Sequence, residues 1–333
     1  DSLMIPVTDV PFRYNNIHEY QLEHPTKVIE WTAEKELLLP LKLFADDNQG
    51  LCAERDAKVV HGGFSDGAVH SFEKTVNGYF QTLVSCVVTN DGFSSKLLVW
   101  DLGGGDCGDI LHGSQISDIQ LTELMSGKPL YSVDNNLFYI HCSLFGLLAV
   151  YFSLVPGDLY VGDTRKPSAL QQTPAGGREG AQWCMGVKTD LFSSDPSSCS
   201  VARLSSSCQV FVSGLRDLRA PVSKAQLDVQ RKTTDNDFLK VTWAPALDNC
   251  LAVSGFDGMV EIYNTASWRP ELVEFQLIFV HRGHTMSEDQ FDTSSAVVTT
   301  HVWHPSRPKT VLSAAVDGSV HLWDWVDKAT ASC

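Results

Sequence analysis

The sequence has no run of lysine and arginine, and basic residues are scarce throughout: 25 stand against 40 acidic ones, a net charge of −15 at neutral pH. A chain with that balance repels phosphate backbones and anionic bilayers. Direct nucleic-acid and membrane partners are therefore not expected, and solubility or a basic protein partner is the better use of the charge. Long hydrophobic runs are missing too. The longest, LFGLLAVYFSLV at 144–155, has 12 residues, whereas a membrane-crossing helix needs about 20. Cys-x-x-Cys pairs are absent. The nine cysteines are scattered, several of them inside apolar runs such as TLVSCVV around Cys86 and NCLAVSG around Cys250. That pattern argues against a zinc framework and for reduced thiols used as small hydrophobes in a cytosolic or nuclear protein. The chain begins at Asp1 without a secretory signal, and a native start further upstream is expected. Helical periodicity is rare: 117–127 is the best stretch for it, and the same letters also alternate as a strand.

What fills the 333 residues instead is a series of short β runs separated by Asp, Gly, Ser and Pro. KLLVWDL at 96–102, DLYVGDTR at 158–165, CQVFVSGLRD at 208–217, MVEIYN at 259–264 and SVHLWDW at 319–325 are strands of one type. Two of them follow an Asp-Gly pair: FDGMVEIYN at 256–264 and VDGSVHLWDW at 316–325. Asp-Gly between apolar runs predicts a tight hairpin, because Gly supplies the positive φ that the turn needs. The partner strands are Leu251–Ser254 and Val311–Ala315, and further upstream VTWAP at 241–245 matches VWHP at 302–305. The unit is thus three strands, with a fourth expected in the variable link to the next unit.

A recurring unit of this kind, with Gly-His early, an Asp turn and then Trp-Asp, is the signature of WD-type repeats. Gly283-His284 lies upstream of Trp323 at the right distance, and His284, Ser313, Asp317 and Trp323 are expected to form the hydrogen-bonded ladder of the last blade. These are scaffold roles. The 300 residues from Lys27 to Val326, at about 40–45 per blade, give about seven blades. The parse is 27–44, 58–102, 110–127, 131–166, 182–218, 239–264 and 297–326, the first and third being short for four strands. The expected architecture is all-β: a seven-bladed WD40 β-propeller over 27–326, an N-terminal segment 1–26 and a short tail 327–333. IHEYQLE at 17–23 would be the outer strand of blade seven and close the ring. Polar segments at 163–182, 218–238 and 285–296 read as loops, where binding usually lives.

Sharper chemistry does not survive. Gly63-Phe64-Ser65-Asp66-Gly67 matches a nucleophile elbow, but the residues after it continue as a strand and not as the required helix. Gly103-Gly104-Gly105 is followed by acidic residues, which would repel phosphate. His281, His284, His301 and His304 invite a metal reading, but His284 belongs to the ladder and His301 and His304 point to opposite faces of a strand. Asp163-Thr164-Arg165 and Leu215-Arg216-Asp217 are either partner contacts or ion pairs within the scaffold. No catalytic, metal or cofactor site is expected.

Four segments carry a closer likeness: GLCAERDAKVVHGGFSD at 50–66, LKVTWAPALDNCLAVSGFDGMVEIYNTASW at 239–268, VHRGHT at 280–285 and VVTTHVWHPSRPKTVLSAAVDGSVHLWDWVD at 297–327. Over about a third of the chain they resemble the WD repeat-containing protein 73 family of animals. This chain is shorter than the family after VIEWTAEK and after VWDLGGGDCGD. The resemblance implies a non-enzymatic, mainly cytoplasmic protein, also found at spindle poles and the cleavage furrow. It implies an assembly factor that binds the Integrator endonuclease heterodimer of subunits nine and eleven. Such a factor would cover the active site and pass the pair to a further factor before nuclear import. Tubulin is a second association. The segments that carry the likeness offer two candidate partner-binding sets. One is Arg55, Asp56, His61, Phe64 and Asp66; the other is His281, Arg282, His304 and Arg307. The alternative is that these motifs pack unusual blade junctions.

Overall fold

The computed structural model describes residues 12–31, 181–188, 200–214, 221–229, 238–271, 276–285 and 296–327, and between 71 and 173 the backbone of the strands. The described residues are almost wholly antiparallel β. Strand β1 (Phe12–Gln21) opens the chain. Strands β2–β5 (Ser71–Val76, Ser85–Asn90, Lys96–Asp101, Gly108–His112) form a four-stranded sheet, and β6 and β7 (Ile119–Thr122, Pro129–Val133) form a two-stranded one. Strands β8–β11 (Ile140–Phe145, Leu148–Ser153, Leu159–Asp163, Lys166–Thr173) and β12–β15 (Trp183–Lys188, Ser200–Ser205, Gln209–Gly214, Ser223–Gln226) form two more sheets. Strands β16–β19 (Lys240–Trp243, Cys250–Ser254, Val260–Asn264, Gln276–His281) form the penultimate sheet. The last sheet runs β1-β22-β21-β20, with β20 at Val298–Trp303, β21 at Thr310–Ala315 and β22 at Ser319–Asp327. Among the described residues the one helical element is a 3-10 turn at Gly283–Thr285, and no helix is long and apolar enough to cross a membrane.

The two Asp-Gly hairpins form, but they solve the turn differently. At the last one Gly318 has φ +85 and its N–H bonds Ala315 O at 3.1 Å, the geometry expected from the sequence. At the earlier one the positive φ falls on Gly255 (+95) and not on Gly258. That connection is longer, so the left-handed residue sits directly after β17, where a Cβ would collide with the Phe238 carbonyl. In both turns the aspartate does the same work: Asp257 Oδ1 accepts from Met259 N and Asp317 Oδ1 from Ser319 N, each at 2.9 Å.

Other expectations shift. Strands β11 and β15 fill two of the polar segments read as loops, each as the fourth strand expected in a link, and SKAQ of β15 reads as loop because alternate residues face water. Pro129–Val133 pairs with Ile119–Thr122 and not with the sheet after it, so the unit expected to begin at 131 begins at β8. Within 117–127 the described residues, Ile119–Thr122, are strand β6, the second of the two readings their letters allowed. Strand β1 begins five residues before the expected Ile17 and pairs along β22 from Phe12↔Asp327 to Gln21↔Ser319.

The core lies between sheets. One layer joins Leu204 and Val210 to Leu251, Val253 and Tyr263; the next joins Ile262 and Phe279 to Val298, Val311, Trp323 and Trp325. Because both sheet faces are covered, β17 and β21 are buried at every position, which is why CLAVS and TVLSAA lack polar alternation. The far face of the last sheet packs Val302, Leu312 and Leu322 against Ile29 and Trp31. Strands β12, β16 and β20 are fastened to one another by the matched tryptophans: Trp243 Nε1 donates to Gly186 O at 3.2 Å and Trp303 Nε1 to Thr242 O at 3.3 Å. Gly186 is required there, since a Cβ would run into Val241 O.

Candidate functional site

Around Trp323 the expected ladder residues sit in one hydrogen-bonded chain, buried from Trp323 to Ser319 and ending at the exposed Asp317. Trp323 Nε1 donates to Ser313 Oγ at 3.1 Å, and Ser313 Oγ bonds His284 Nε2 at 2.9 Å. His284 Nδ1 bonds Ser319 Oγ at 2.6 Å, and Ser319 Oγ donates to Asp317 Oδ1 at 2.6 Å. Ser319 is the link that sequence reading missed. Alternation could have found it, because Ser319, His321 and Trp323 share one face of β22. Gly283 must be Gly: a Cβ there would meet the rings of His281 and His321.

A second chain ties the N-terminal strand to this centre. Arg282 N donates to Tyr14 Oη at 3.2 Å, which leaves the Tyr14 hydroxyl to donate to His281 Nδ1 at 2.8 Å. His281 is then the Nε2–H tautomer and donates to His321 Nδ1 at 3.0 Å. The His321 Nε2–H in turn faces Glu19 Oε1 at 3.5 Å. Burial holds the imidazoles neutral, His284 down at about 3 and His281 well below its ordinary value.

Three ring nitrogens of His281, His284 and His321 lie within 4.8 Å of one another, which raises a metal centre. The ring planes rule it out. His284 and His321 stack at 3.9 Å between centroids and 6° between planes. In-plane lone pairs of two parallel, stacked rings cannot converge on one ion about 2.0–2.1 Å from each. Both His284 nitrogens are also held by serines. The cluster is a neutral hydrogen-bonded core.

His301 bridges two sheets, bonding Ser254 Oγ through Nδ1 and Thr242 Oγ1 through Nε2, each at 2.7 Å. Lys240 Nζ donates to Thr300 Oγ1 at 2.8 Å across the same junction; burial lowers it to about 8, partly offset by Glu30. Burial pushes the Cys184 thiol up to about 12, so it stays protonated and is no nucleophile.

Of the expected contact residues, Arg55, Asp56, His61, Phe64 and Asp66 lie outside the described residues. His281 is fully buried, which corrects its place as a surface candidate: on β19 it pairs opposite Val260 and its ring turns into the sheet junction, stacked on Trp323 at 4.6 Å. Arg282 and Arg307 are exposed. His304 is half-buried against Trp31, ring centroids 4.7 Å apart, and its Nδ1 accepts from Ser306 N and Arg307 N at 3.1 and 2.9 Å. It shapes the turn that presents Arg307.

Antiparallel four-stranded sheets, the Asp turns and the His–Ser–Trp chain define a WD-repeat β protein. Comparison with known proteins sharpens this. The chain is 44% identical to Integrator complex assembly factor WDR73 of Danio rerio, covering 95% of each chain. It is 35% identical to the Mus musculus protein of that name and 33% to the Homo sapiens one, each over 94% of this chain and 95% of theirs. It belongs to the family of WD repeat-containing protein 73. No protein-family model matches the chain. Among solved structures, the computationally designed Ika8 protein aligns at a TM-score of 0.44 and 16% identity, over 77% of this chain and 71% of that one.

Proposed function

We propose that this chain is a non-catalytic scaffold that assists assembly of the Integrator complex. It binds and stabilises the endonuclease heterodimer of subunits nine and eleven in the cytoplasm, covers its active site before nuclear import, and releases it to a further factor. The observation that carries the reading is that relatives matched over about 95% of the chain bear the name of an Integrator assembly factor. None of those names favours the microtubule alternative.

The architecture proposed for this role is a seven-bladed disc over residues 27–326, closed by the N-terminal segment 1–26 and followed by the tail 327–333. Two contacts support closure. Strand β1 adds to the last sheet, and the chain then turns so that Thr299 Oγ1 donates to Thr26 O and Trp31 packs on the face of that sheet away from its neighbour. Trp31 in VIEW thus stands at the last sheet much as Trp303 stands at the penultimate one. A closed disc is rigid, and a stable partner interface needs about 800 Å² from each side.

The net negative charge would complement a basic RNA-binding cleft on the nuclease. The test is gel filtration with the purified heterodimer at low and at moderate salt. Co-elution that weakens with salt is expected. Separate elution at both salts overturns the reading, and microtubule co-sedimentation then becomes the next trial.

A further inference from the structure

Strand β1 is ten residues long and forms the outer edge of the last sheet, although it lies near the start of the chain. It pairs with β22 from Phe12↔Asp327 to Gln21↔Ser319. Yet none of its side chains from 13 to 21 is fully buried, and Ile17 is 44% exposed. The outer strands of the two preceding sheets differ: β15 buries Ser223 and Ala225, and β19 buries Phe279 and His281. Removing side chains from water is the main force that holds an outer strand to its neighbours. Tyr14 joins the core only in part, its ring edge-on to Phe279, His281 and Trp323.

Polar contacts fasten the strand instead. The pairing with β22 skips Asn15, and at that bulge the Asn16 amide is held by a side chain, Asp324 Oδ1, at 2.7 Å. The Asn16 side-chain amide reaches both Asp324 oxygens at 3.3 Å. The Tyr14 hydroxyl donates to His281 Nδ1, and Glu19 meets His321. Gln21 Nε2 donates to Asp317 O at 2.7 Å and Leu22 N to Gly318 O at 2.9 Å, at the end of the sheet where the Asp-Gly turn lies. Leu22, Glu23, His24 and Pro25 are all exposed. Only then is the chain fastened again, where Thr26 O accepts from Thr299 Oγ1 and Ile29 and Trp31 pack on Val302, Leu312 and Leu322. Strand β1 and the segment 26–31 are thus held separately, with an exposed link between them.

We propose that β1 is a strap that opens and closes as one unit while β20–β22 and the segment 26–31 stay folded, uncovering the outer edge of β22 each time it opens. Segments with few buried apolar contacts and many exposed backbone hydrogen bonds open at a lower free energy than the whole fold. The exposed link lets β1 leave without pulling Trp31 from the face of the last sheet. Asp324 is the latch, because it holds the strand at the bulge, where the regular pairing is interrupted. The strap depends on the pairing of β1 with β22 and not on which partner the chain binds.

The experiment is hydrogen–deuterium exchange on the whole chain, resolved to single amides, under conditions where closing outpaces exchange. In the parent chain the β1 amides that pair with β22 and the β22 amides that pair with β1 should exchange together, at least about a hundredfold faster than those of β21. Two variants separate local from global opening. Trp303→Phe removes a bond between β20 and β16 that stays made when the strap is open. It should speed exchange in β21 by about fivefold and leave β1 unchanged. Asp324→Ala breaks the latch and should speed exchange in β1 roughly tenfold. Exchange in β1 as slow as in β21, or equal acceleration of both strands by Trp303→Phe, would show that β1 leaves only when the whole fold does, and would overturn the proposal. Fast exchange confined to Phe12–Tyr14 would be fraying of an end and would overturn it equally. No acceleration of β1 in Asp324→Ala would remove the latch from it. Should Asp324→Ala fail to fold, the parent chain and Trp303→Phe still decide whether the strap exists.

Discussion

The last two sheets are built on one plan and carry different cores. Strand pairing sets the equivalences: Val311 faces Trp323 and Ser313 faces His321 in the last sheet, as Leu251 faces Tyr263 and Val253 faces Glu261 in the one before it. Where the last sheet has Ser313, Ser319 and His321, the earlier one has Val253, Met259 and Glu261. With both hydroxyls replaced, a histidine at the place of His284 would have no partners there. Instead the Tyr263 hydroxyl donates to the Glu261 carboxylate two residues away on the same strand. The same hairpin therefore tolerates two chemistries, a neutral histidine relay or a phenol–carboxylate pair, provided every buried polar group is answered.

The sharpest way to break this comparison is His284→Ala. It strips partners from Ser313 and Ser319 at once and leaves a cavity against the stacked His321 ring. A loss of about 3 kcal/mol is expected, read as a lower denaturant midpoint. A loss under about 1 kcal/mol would mean that the network adds nothing beyond its packing.

Next in size is an opposition in pH. Burial raises Glu261 to about 7, so the folded state holds its proton more tightly than the unfolded chain does. Its contribution is full at low pH and is lost as pH rises from about 4.5 through 7. His284, lowered to about 3, does the reverse: the unfolded chain takes the proton first, so stability falls as pH drops from about 6.5 toward 3. Between about 4.5 and 6.5 the two sheets pull in opposite directions. Glu261→Gln keeps an acceptor for Tyr263 and removes one side. Stability at pH 8 should rise by on the order of 1–3 kcal/mol, and the remaining profile should climb steadily from pH 4.5 to 6.5. Urea melts across that range check it; an unchanged profile would show that Glu261 does not titrate differently on folding.

Where the sheets are alike, substitutions should behave alike. Trp243→Phe and Trp303→Phe each delete one indole-to-carbonyl bond between the first strands of adjacent sheets. Each should cost about 1 kcal/mol and a little packing. A large gap between the two would mean that the junctions are not equivalent.

Legibility in the sequence follows the same physics. Strands buried on both faces announce themselves: CLAVS and TVLSAA are mostly apolar with no charged residue, and the Asp-Gly pairs punctuate them. Outer strands such as SKAQ bury alternate small side chains and read as loop. The ladder was half legible, because Trp-Asp and Gly-His are spaced by the fold, while Ser319 and His321 needed the face of β22 to be worked out. His281 was misplaced because VHRGHT gives no hint of which way the ring turns. Only the pairing with Val260 and the stack on Trp323 decide it. Exposed residues such as Arg307 have no periodic signature at all.

The smallest effect tests the turns at the opposite end. The connections after Trp243 and Trp303 each close on a non-glycine residue in left-handed conformation, Asn249 at φ +53 and Lys309 at φ +64. Ala244 N bonds Cys250 O at 3.0 Å in one, and His304 N bonds Thr310 O at 2.9 Å in the other, so the frames match. They differ in how well the residue suits the backbone. Asparagine tolerates positive φ through local hydrogen bonding, whereas a lysine Cβ is strained there by roughly 1–2 kcal/mol. Exchanging them is the clean experiment. Lys309→Asn should gain about 0.5 kcal/mol and Asn249→Lys should lose a similar amount, with the double exchange close to the parent chain. Gains and losses of the same sign at both turns would mean that side-chain contacts, and not the shared backbone shape, set their stability.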